Sequence, residues 1–309
     1  MPSIICGSLA FDTISVFHGR FAEHILPDKV HMLNVSFLVP TMRRDFGGCA
    51  GNIAYGLRQL GGTPQVVGAL GEDGAPYRER LAAQGIGTEH VITVPGSMTA
   101  QAYLMTDQDN NQITSFHPGA MAHAHMAAVP APAAGESALA ILAPDGKDAT
   151  LTHARQCAAH GIDYVFDPGQ GLPMFTADEL AALIDGARYV VVNDYEAQLV
   201  SDKLRQPLER WAEAREGAIV TRGEHGCRVW DGQSWHAVHG VTPQAVVDPT
   251  GCGDAFRAAL LWALERGHSW VMAARYGNVM GALKIAHPGG QNYTASAYDL
   301  TAQVQRHYA

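Results

Sequence analysis

The residues best suited to chemistry lie in one short segment, DPTGCGD at positions 248–254. Gly251 and Gly253 precede a run with helical spacing, so they are predicted to lie at a helix N-terminus. Unpaired backbone N–H groups and the positive end of the helix dipole make such a turn a binding site for an anion, for example a transferred phosphoryl group. Asp254 stands at the same turn, where its carboxylate can accept the proton of a hydroxyl that attacks the phosphate. The segment therefore indicates a kinase, and an ordinary helix cap is the alternative.

Two better-known phosphate-binding motifs do not fit this turn. A P-loop needs Lys followed by Ser or Thr after its last glycine, and a dinucleotide-binding fingerprint needs a third glycine where Phe256 stands. The flanking pattern predicts that a strand ends at residues 245–247 and that a helix follows, on which Phe256, Leu260 and Leu264 recur. Gly267 is expected to end that helix.

A second group of polar residues lies near the start of the chain. An apolar strand beginning at Ser3 leads into small and polar residues that include Ser8 and Asp12. A carboxylate at such a strand end can accept two hydrogen bonds from a vicinal diol, such as that of a ribose. The alternative is that Asp12 is an ordinary turn residue with no ligand. Further on, Gly48 permits close approach of a ligand, and Asn52 can donate and accept toward a hydroxyl.

The segments around these residues predict a small sheet that acts as a lid. Helical periodicity is lost over residues 15–46, and residues 35–39 are predicted to form a short strand. Residues 99–106 and 112–116 flank a polar turn and are predicted to pair as a hairpin. Phe116 could stack on a nucleobase through its flat ring, or be part of the apolar core of the lid.

After residue 121 the pattern alternates between strands and helices, as expected for a mostly parallel sheet covered on both faces. Strands are predicted at residues 139–143, 164–167, 189–193 and 218–221, and short antiparallel strands within 233–241. Helices are predicted at residues 149–159, 176–184, 196–215 and 270–285. The fold class is therefore α/β.

Composition excludes several classes of protein. The 309 residues carry a formal net charge of −9, which argues against a nucleic-acid partner. The five cysteines form no C-x-x-C pair, and the chain starts directly with an apolar strand, which predicts a reducing compartment and no signal peptide. No apolar run is long enough to cross a bilayer, so no membrane partner is expected and a cytoplasmic location is predicted.

Three motifs in this order resemble the ribokinase (PfkB) family of sugar and nucleoside kinases. They are D-x-T-G-x-G-D-x-F at residues 248–256, G-G-x-x-x-N at residues 47–52 and N-x-x-E at residues 193–196. The resemblance is closest to bacterial adenosine kinases and broad-specificity nucleoside kinases, which share FHPGAM at residues 116–121 and DPGQ at residues 167–170. It implies a single ribokinase-like unit over residues 1–309. Its core would comprise approximately 1–12, 47–95 and 118–309, and its discontinuous β lid approximately 13–46 and 96–117.

The resemblance also implies roles for individual residues. Asp254 would be the catalytic base, with the amides of Gly251, Cys252 and Gly253 as an anion hole and Arg257 assisting one helical turn later. The nucleoside would be bound by Ser8, Asp12, Ser36, Gly48, Asn52, Phe116, Met121 and Gln170. The ATP side would be lined by Asn193, Thr221, Gly223, Gly226 and Asn278.

Two cations are implied as well. Asn193 and Glu196 would organise Mg²⁺ through water, which suits an ion that dehydrates reluctantly. Backbone carbonyls of the loop at residues 287–290, together with those around Asp248 and Thr250, would hold a monovalent cation, for which K⁺ is the candidate.

The acceptor predicted from this resemblance is a nucleoside. The reaction would transfer the γ-phosphate of ATP to the 5′-hydroxyl of adenosine, with inosine, guanosine and cytidine as further candidates. Relatives carry a second aromatic residue at the position of Ala102 and a second glutamine at that of Gly171, so a roomier and less selective base pocket is expected. A ribokinase- or fructokinase-like sugar kinase and a non-catalytic nucleoside sensor are the alternatives. The lid could also pair with a second protomer to form a homodimer.

Overall fold

A computed structural model describes residues 3–25, 34–109 and 111–309. Within that part of the chain, the larger sheet has nine strands in the order β13-β12-β11-β10-β9-β8-β1-β4-β5. Their bounds are β1 Ser3–Cys6, β4 Pro64–Leu70, β5 Gly87–Thr93, β8 Leu139–Leu142, β9 Asp163–Phe166, β10 Tyr189–Asn193, β11 Gly217–Thr221, β12 Cys227–Trp230 and β13 Trp235–Val238. All neighbours in this sheet pair in parallel except β11 with β12 and β12 with β13.

A second, four-stranded sheet forms the lid, in the order β3-β2-β6-β7. Its strands are β2 Ala10–Val16, β3 Thr41–Gly47, β6 Ala100–Thr106 and β7 Gln112–His117. Strands β6 and β7 form the predicted hairpin, and β2 pairs in parallel with β6. Because Asp12 lies on β2, it belongs to a lid strand and faces the lid residues Asp45 and Ala102 in register.

Most helices cover the two faces of the larger sheet, and the first packs against the lid. Their bounds are α1 Phe21–His24, α2 Cys49–Gln59, α3 Ala75–Ala83, α4 Lys147–His160, α5 Ala177–Gly186, α6 Asp194–Leu204, α7 Leu208–Ala212, α8 Cys252–Glu265, α9 Trp270–Lys284 and α10 Ala297–Tyr308. On β1, Ile5 joins a buried cluster with Leu57 and Leu260, whereas its neighbour Ile4 joins a second cluster with Leu180 on the opposite face. Alternating side chains along one strand thus contribute to two cores. The predicted α/β fold with a doubly covered, mostly parallel sheet and a separate small sheet is confirmed.

Two sequence predictions about elements are wrong, and one helix was not predicted. Residues 35–39 have no regular structure, and the nearby lid strand is β3. Residues 245–247 are also irregular, with Val246 and Val247 exposed by 74% and 57%. The backbone N–H of Val247 bonds to the carbonyl of Ile285, so the end of α9, and not a neighbouring strand, satisfies this segment. Helix α10 was not predicted, because only Leu300 and Val304 on it are buried.

Among the described residues, no helix combines the length and apolar character that crossing a membrane requires.

Candidate active site

A cavity of about 940 Å³ lies where the larger sheet meets the lid. Its floor is formed by residues that follow the carboxyl ends of parallel strands, among them Ser8 after β1, Asp145 after β8 and Asp167 after β9. Its roof includes Ala102 and Phe116 of the lid hairpin. Ligands of open α/β sheets bind outside the carboxyl ends of the strands, so the position agrees with a substrate site.

The structure brings most of the predicted site residues to this single cavity. Those that line it are Ser8, Asp12, Gly48, Asn52, Phe116, Met121, Gln170, Asn193, Glu196, Thr221, Gly223, Thr250, Gly251, Gly253, Asp254 and Arg257. Five others, Ser36, Gly226, Asp248, Cys252 and Asn278, are not part of its wall. Asp12 and Asp254, which come from opposite ends of the sequence, therefore face one shared space.

The candidate base Asp254 is held by a chain of hydrogen bonds. Asn52 Nδ2 donates to Asp254 Oδ2 at 2.8 Å, and Gln291 Nε2 donates to Asn52 Oδ1 at 3.2 Å. Gln291 also donates to the Tyr77 hydroxyl at 2.9 Å, and that hydroxyl donates to the carbonyl of Gly47 at 2.6 Å. Because Gln291 occupies the oxygen of Asn52, the amide presents its N–H side to the carboxylate.

Burial raises the pKa of Asp254 above its ordinary value, while the hydrogen bond from Asn52 and the positive charge of Arg257 oppose that rise. A carboxylate with a raised pKa is a stronger base and is better matched to proton abstraction near neutral pH. Gly251, with φ of 76°, is the N-cap of α8, and a side chain there would meet Gly290 at 2.9 Å. Glycine is therefore required at this turn.

One of the three amides predicted to form the anion hole already has a hydrogen-bond partner. Gly251 and Gly253 line the cavity at the N-terminus of α8, as expected. The N–H of Cys252, in contrast, donates to the carbonyl of Pro249 at 3.2 Å, and Cys252 is outside the cavity wall. The expectation of a third amide at Cys252 is corrected, because the tight turn after Pro249 uses that donor.

Arg257 lies one turn into α8 and is almost fully buried. Its Nε and Nη2 donate to the two carboxylate oxygens of Asp167, the latter at 2.6 Å, and its Nη1 donates to the carbonyl of Gly253 at 3.1 Å. Burial opposes its charge, but the paired carboxylate of Asp167 raises the pKa of Arg257 above its ordinary value. The guanidinium thus ties the turn of α8 to the end of β9, in addition to lining the cavity.

Asp12 lies beside the N-terminus of α2, close to Gly47. Burial, followed by the nearby carboxylates of Asp45 and Asp254, raises the pKa of Asp12 to about 6. Gly48, the N-cap of α2, has φ of 85°, and a side chain there would lie 2.5 Å from the carbonyl of Ser8. The Ser8 hydroxyl accepts a hydrogen bond from the Cys49 N–H at 3.0 Å, so it caps this helix and lines the cavity at once.

A less polar part of the cavity lies under the lid hairpin. Phe116, Met121 and Met174 line it together with the small residues Ala102 and Gly171. Phe116 is 50% exposed, so it is not a buried core residue of the lid. Asp145 is also part of the wall; its Oδ1 accepts the N–H of Gly146, and its buried Oδ2 has no partner among the described residues. Burial raises the pKa of Asp145 to about 7.

Asn193 and Glu196 form a capping box at the start of α6. The Asn193 oxygen accepts from the Glu196 N–H at 2.7 Å, and the Glu196 carboxylate accepts from the Asn193 N–H at 2.8 Å. Both residues line the cavity, and burial followed by the nearby Asp167 raises the pKa of Glu196. Within the described ranges, no three His, Cys, Asp or Glu side chains are arranged to bind a metal directly. This oxygen-rich wall fits Mg²⁺ held through water.

The predicted monovalent-cation site does not fit such an ion. The Asp248 carbonyl accepts a hydrogen bond from Lys284 Nζ at 2.7 Å, and the Asp248 carboxylate accepts the N–H groups of Thr250 and Gly289 at 2.9 and 2.8 Å. The carbonyl that would bind K⁺ already binds an ammonium group.

Three predicted residues lie apart from the cavity for structural reasons. Ser36 is exposed in an irregular segment. The Asn278 side chain donates to the His239 carbonyl at 3.0 Å and to the Tyr308 hydroxyl at 3.1 Å, so it joins α9 to α10. At Gly226 the backbone passes close to β13, and an added side chain would lie 2.1 Å from the Val238 carbonyl.

Sequence reasoning missed Asp145, which lines the cavity, and also Gln291 and Lys284, which contact residues beside it. Gln291 and Lys284 follow no motif, and their contacts join segments far apart in the chain. Asp145 follows the buried strand β8, and a polar residue at a strand's carboxyl end was the one available signal.

Comparison with known proteins shows the family to which the chain belongs. Residues 16–297 match the family model described as pfkB family carbohydrate kinase. A nucleoside kinase from Methanothermobacter thermautotrophicus is 30% identical over 283 residues, which cover 91% of each chain. The structure of Burkholderia thailandensis nucleoside kinase in complex with inosine is 46% identical, with a TM-score of 0.88 over 99% of this chain and 98% of that one.

The same Burkholderia thailandensis enzyme in complex with ADP-inosine is 48% identical, with a TM-score of 0.85, and covers 99% of this chain and 96% of that one. The match to the family model extends over most of the chain and includes Asn52 and Asp254, while Ser8 and Asp12 precede it. The chain therefore belongs to the pfkB family of carbohydrate kinases, and it is a phosphotransferase that acts on a hydroxyl group.

Proposed function

We propose that this protein is an ATP-dependent nucleoside kinase that transfers the γ-phosphoryl group to the 5′-hydroxyl of adenosine and of other ribonucleosides. The observation that carries the proposal is the shared cavity, in which Asp12 and Asp254 lie with the helix N-terminus at Gly251. Its volume of about 940 Å³ is in the range of sites for ligands of this size. The relatives named nucleoside kinase, one of them bound to inosine, support a nucleoside as the acceptor.

Each residue has a distinct part in the proposed reaction. Asp12 accepts hydrogen bonds from the 2′ and 3′ hydroxyls, and the second N–H of the Asn52 amide donates to the sugar. Asp254 takes the proton of the 5′-hydroxyl as its oxygen attacks the γ-phosphorus in line with the leaving ADP. The amides of Gly251 and Gly253 stabilise the charge on the phosphoryl oxygens. Arg257 keeps this turn in place through Gly253 and Asp167.

The nucleotide side of the cavity is formed by Asn193, Glu196, Thr221 and Gly223. Mg²⁺, when bound through water at Asn193 and Glu196, would neutralise phosphate charge. Closure of the lid over the acceptor would exclude water, which otherwise competes for the phosphoryl group.

Adenosine is proposed as one acceptor among several. Ala102 and Gly171 both line the cavity and leave room beside Phe116. A site with few specific polar partners for the base cannot reject analogues strongly. We therefore expect kcat/KM values for adenosine, inosine, guanosine and cytidine within about 100-fold of one another.

The test is a panel of acceptors with ATP and Mg²⁺, followed by ADP release and by identification of the phosphorylated product. The expected result is a nucleoside 5′-monophosphate. Turnover of ribose or fructose in preference to any nucleoside would contradict the proposal in favour of a sugar kinase. Nucleoside binding without ADP release would instead indicate a sensor.

Two further features belong to the proposal. The lid exposes apolar side chains, Met42 by 71% and Tyr103 by 48%, and a homodimer through the lid would cover such surface. Light scattering of the purified protein measures its mass directly.

All five cysteines are free thiols, as expected for a protein of the cytoplasm.

A further inference from the structure

One buried ammonium group lies next to the phosphate-binding turn without belonging to the cavity. Lys284, the last residue of α9, has a relative exposure of 0%. Its Nζ donates to the carbonyl oxygen of Asp248 at 2.7 Å. Lys284 is not part of the cavity wall, so its side chain does not reach the space that a substrate would occupy.

Hydrogen bonds around Lys284 hold the segment that leads into α8 in place. The backbone N–H groups of Val247 and Asp248 donate to the carbonyl of Ile285 at 2.9 and 3.1 Å, next to Lys284 itself. The thiol of Cys252, the first residue of α8, lies 4.0 Å from the same Asp248 carbonyl. The end of α9 thereby holds the approach to α8 through both backbone and side chain.

The charges around the ammonium group have opposing effects. Burial lowers the pKa of Lys284, while Cys252 and the carboxylates of Asp248 and Asp254 oppose that shift, and Arg43 adds to it. A positive charge here is close to the N-terminus of α8 and has the same sign as the end of the helix dipole. It therefore adds to the potential that attracts a phosphoryl group at Gly251 and Gly253.

A monovalent cation in proteins is coordinated by backbone carbonyl oxygens that replace its hydration shell. The family resemblance would place such an ion at the carbonyls around Asp248 and Thr250. A second cation at the Asp248 carbonyl would be repelled by the ammonium group only a few ångströms away. We propose that the side chain of Lys284 takes the place of that ion, so that phosphoryl transfer by this protein does not depend on K⁺.

The proposal rests on phosphoryl transfer at Asp254, but not on which acceptor is used. The first experiment compares initial rates in KCl, NaCl and tetramethylammonium chloride at equal ionic strength, with saturating ATP, Mg²⁺ and acceptor. The expected rates agree within about twofold. A rate in KCl that is about tenfold or more above that in tetramethylammonium chloride would overturn the proposal. If no nucleoside is turned over, the proposed function fails, and the same comparison is made with the sugar that is.

The second experiment removes the positive charge of Lys284. Lys284→Met keeps the length of the side chain, and its kcat is expected to fall at least about tenfold with little change in the acceptor KM, because the residue does not touch the cavity. Lys284→Ala leaves space beside the Asp248 carbonyl, and its kcat is expected to rise saturably with K⁺ or ethylammonium but not with tetramethylammonium.

Lys147 provides a control, because it is partly exposed, pairs with Glu179 Oε1 at 2.8 Å and is not part of the cavity wall. Lys147→Ala is expected to keep the wild-type kcat and to show no response to these cations. A folded Lys284→Met variant with the wild-type kcat would overturn the proposal. If Lys284→Ala does not fold, the proposal is still tested by the Lys284→Met variant and by the rates of the wild-type protein in the three salts.

Discussion

The side chains of Asn52 and Asp254 are joined by a hydrogen bond of 2.8 Å, although 202 positions separate them in the sequence. Asn52 is on α2 and Asp254 is in the first turn of α8, two helices packed on the same face of the larger sheet. The bond holds the Oδ2 atom of the candidate base in place. The two helices that carry the candidate sugar-binding and phosphate-binding residues are thus in direct contact.

Replacing Asp254 tests the proton transfer. Asp254→Asn is expected to lower kcat by about 10²-fold or more, while nucleoside affinity stays within a few-fold, because an amide cannot take the proton. Steady-state rates and calorimetric binding of the nucleoside measure the two quantities. Asp178→Asn is the control, since Asp178 is an exposed aspartate in the first turn of α5. Near-normal turnover by Asp254→Asn would remove this residue from the mechanism.

Gln291 is predicted to position Asn52 and thereby to affect the pKa of the candidate base, Asp254. In Gln291→Leu the Asn52 oxygen and the Tyr77 hydroxyl each lose a donor. We expect a loss of about 1–3 kcal/mol in the free energy of unfolding, because two buried polar groups are left with fewer partners. The Asn52 amide is then free to rotate, and losing its N–H donor would raise the pKa of Asp254 further.

The decisive measurement for Gln291→Leu is the pH profile of kcat. Asp254 must be ionised to act as a base, so its activity is present above its pKa and is lost as pH falls through it. The acidic limb of the variant should therefore lie at higher pH than that of the wild type. Tyr77→Phe removes a hydroxyl of the same network but keeps the contact between Gln291 and Asn52, and its limb should not move. An unshifted limb in Gln291→Leu would limit Gln291 to a role in stability.

Nucleoside binding is expected to depend on the ionisation of Asp12. Its pKa is raised to about 6 by burial and by the carboxylates of Asp45 and Asp254. Above pH 6 the carboxylate accepts both ribose hydroxyls, and protonation below that value removes part of this capacity. Nucleoside affinity, measured by calorimetry without ATP from about pH 5 to about pH 8, should therefore fall on the acidic side.

Asp45→Asn separates this effect from the titration of Asp254. Asp45 faces Asp12 across the strand pair β2–β3, and removing its charge should lower the pKa of Asp12 and move the binding midpoint to lower pH. Asp12→Ala should raise the acceptor KM steeply at every pH. A flat binding curve for the wild type would assign the ribose contact to another residue.

The fold and much of the candidate site could be predicted because the signals are local. The turn at Gly251, the helix after it and the alternating strands depend on spacing along the chain, and the structure has them. The predicted strand before Asp248 failed for a physical reason. Its β-branched residues are exposed, and the backbone bonds to Ile285, a partner 37 or more positions away that periodicity does not reveal. Gln291 and Lys284 escaped prediction for the same reason, since their contacts arise only on folding.

Asp167 and Arg257 are predicted to be coupled in stability. Removing one charged side chain of this pair is expected to lower the free energy of unfolding more than removing both. Both side chains are buried, with exposures of 2% and 8%. Asp167→Asn leaves the guanidinium buried with its charge uncompensated, which is expected to cost about 3–5 kcal/mol in the free energy of unfolding. A double variant, Asp167→Asn with Arg257→Met, buries no charge and should recover part of that loss. Denaturant unfolding measures all three proteins, and strictly additive losses would show that the two residues are not coupled.

Asp145 is predicted to affect which base is accepted, if the nucleoside occupies the cavity as proposed. Its Oδ2 is buried in the wall and has no partner within the part of the chain that the structure describes. A carboxylate there favours a base that offers an N–H group, such as inosine or guanosine through N1. Because burial raises the pKa of Asp145 to about 7, this preference should be strong above that pH and should weaken as pH falls through it.

The substitution Asp145→Asn supplies an amide N–H that can donate to a base acceptor, and its oxygen is a weaker acceptor than a carboxylate. The ratio of kcat/KM for inosine to that for adenosine is therefore expected to fall about tenfold, and to lose its pH dependence around neutrality. Met174→Leu, a change of an apolar residue in the same wall, is the control and should leave the ratio within about twofold. An unchanged ratio in Asp145→Asn would show that the base does not reach this carboxylate.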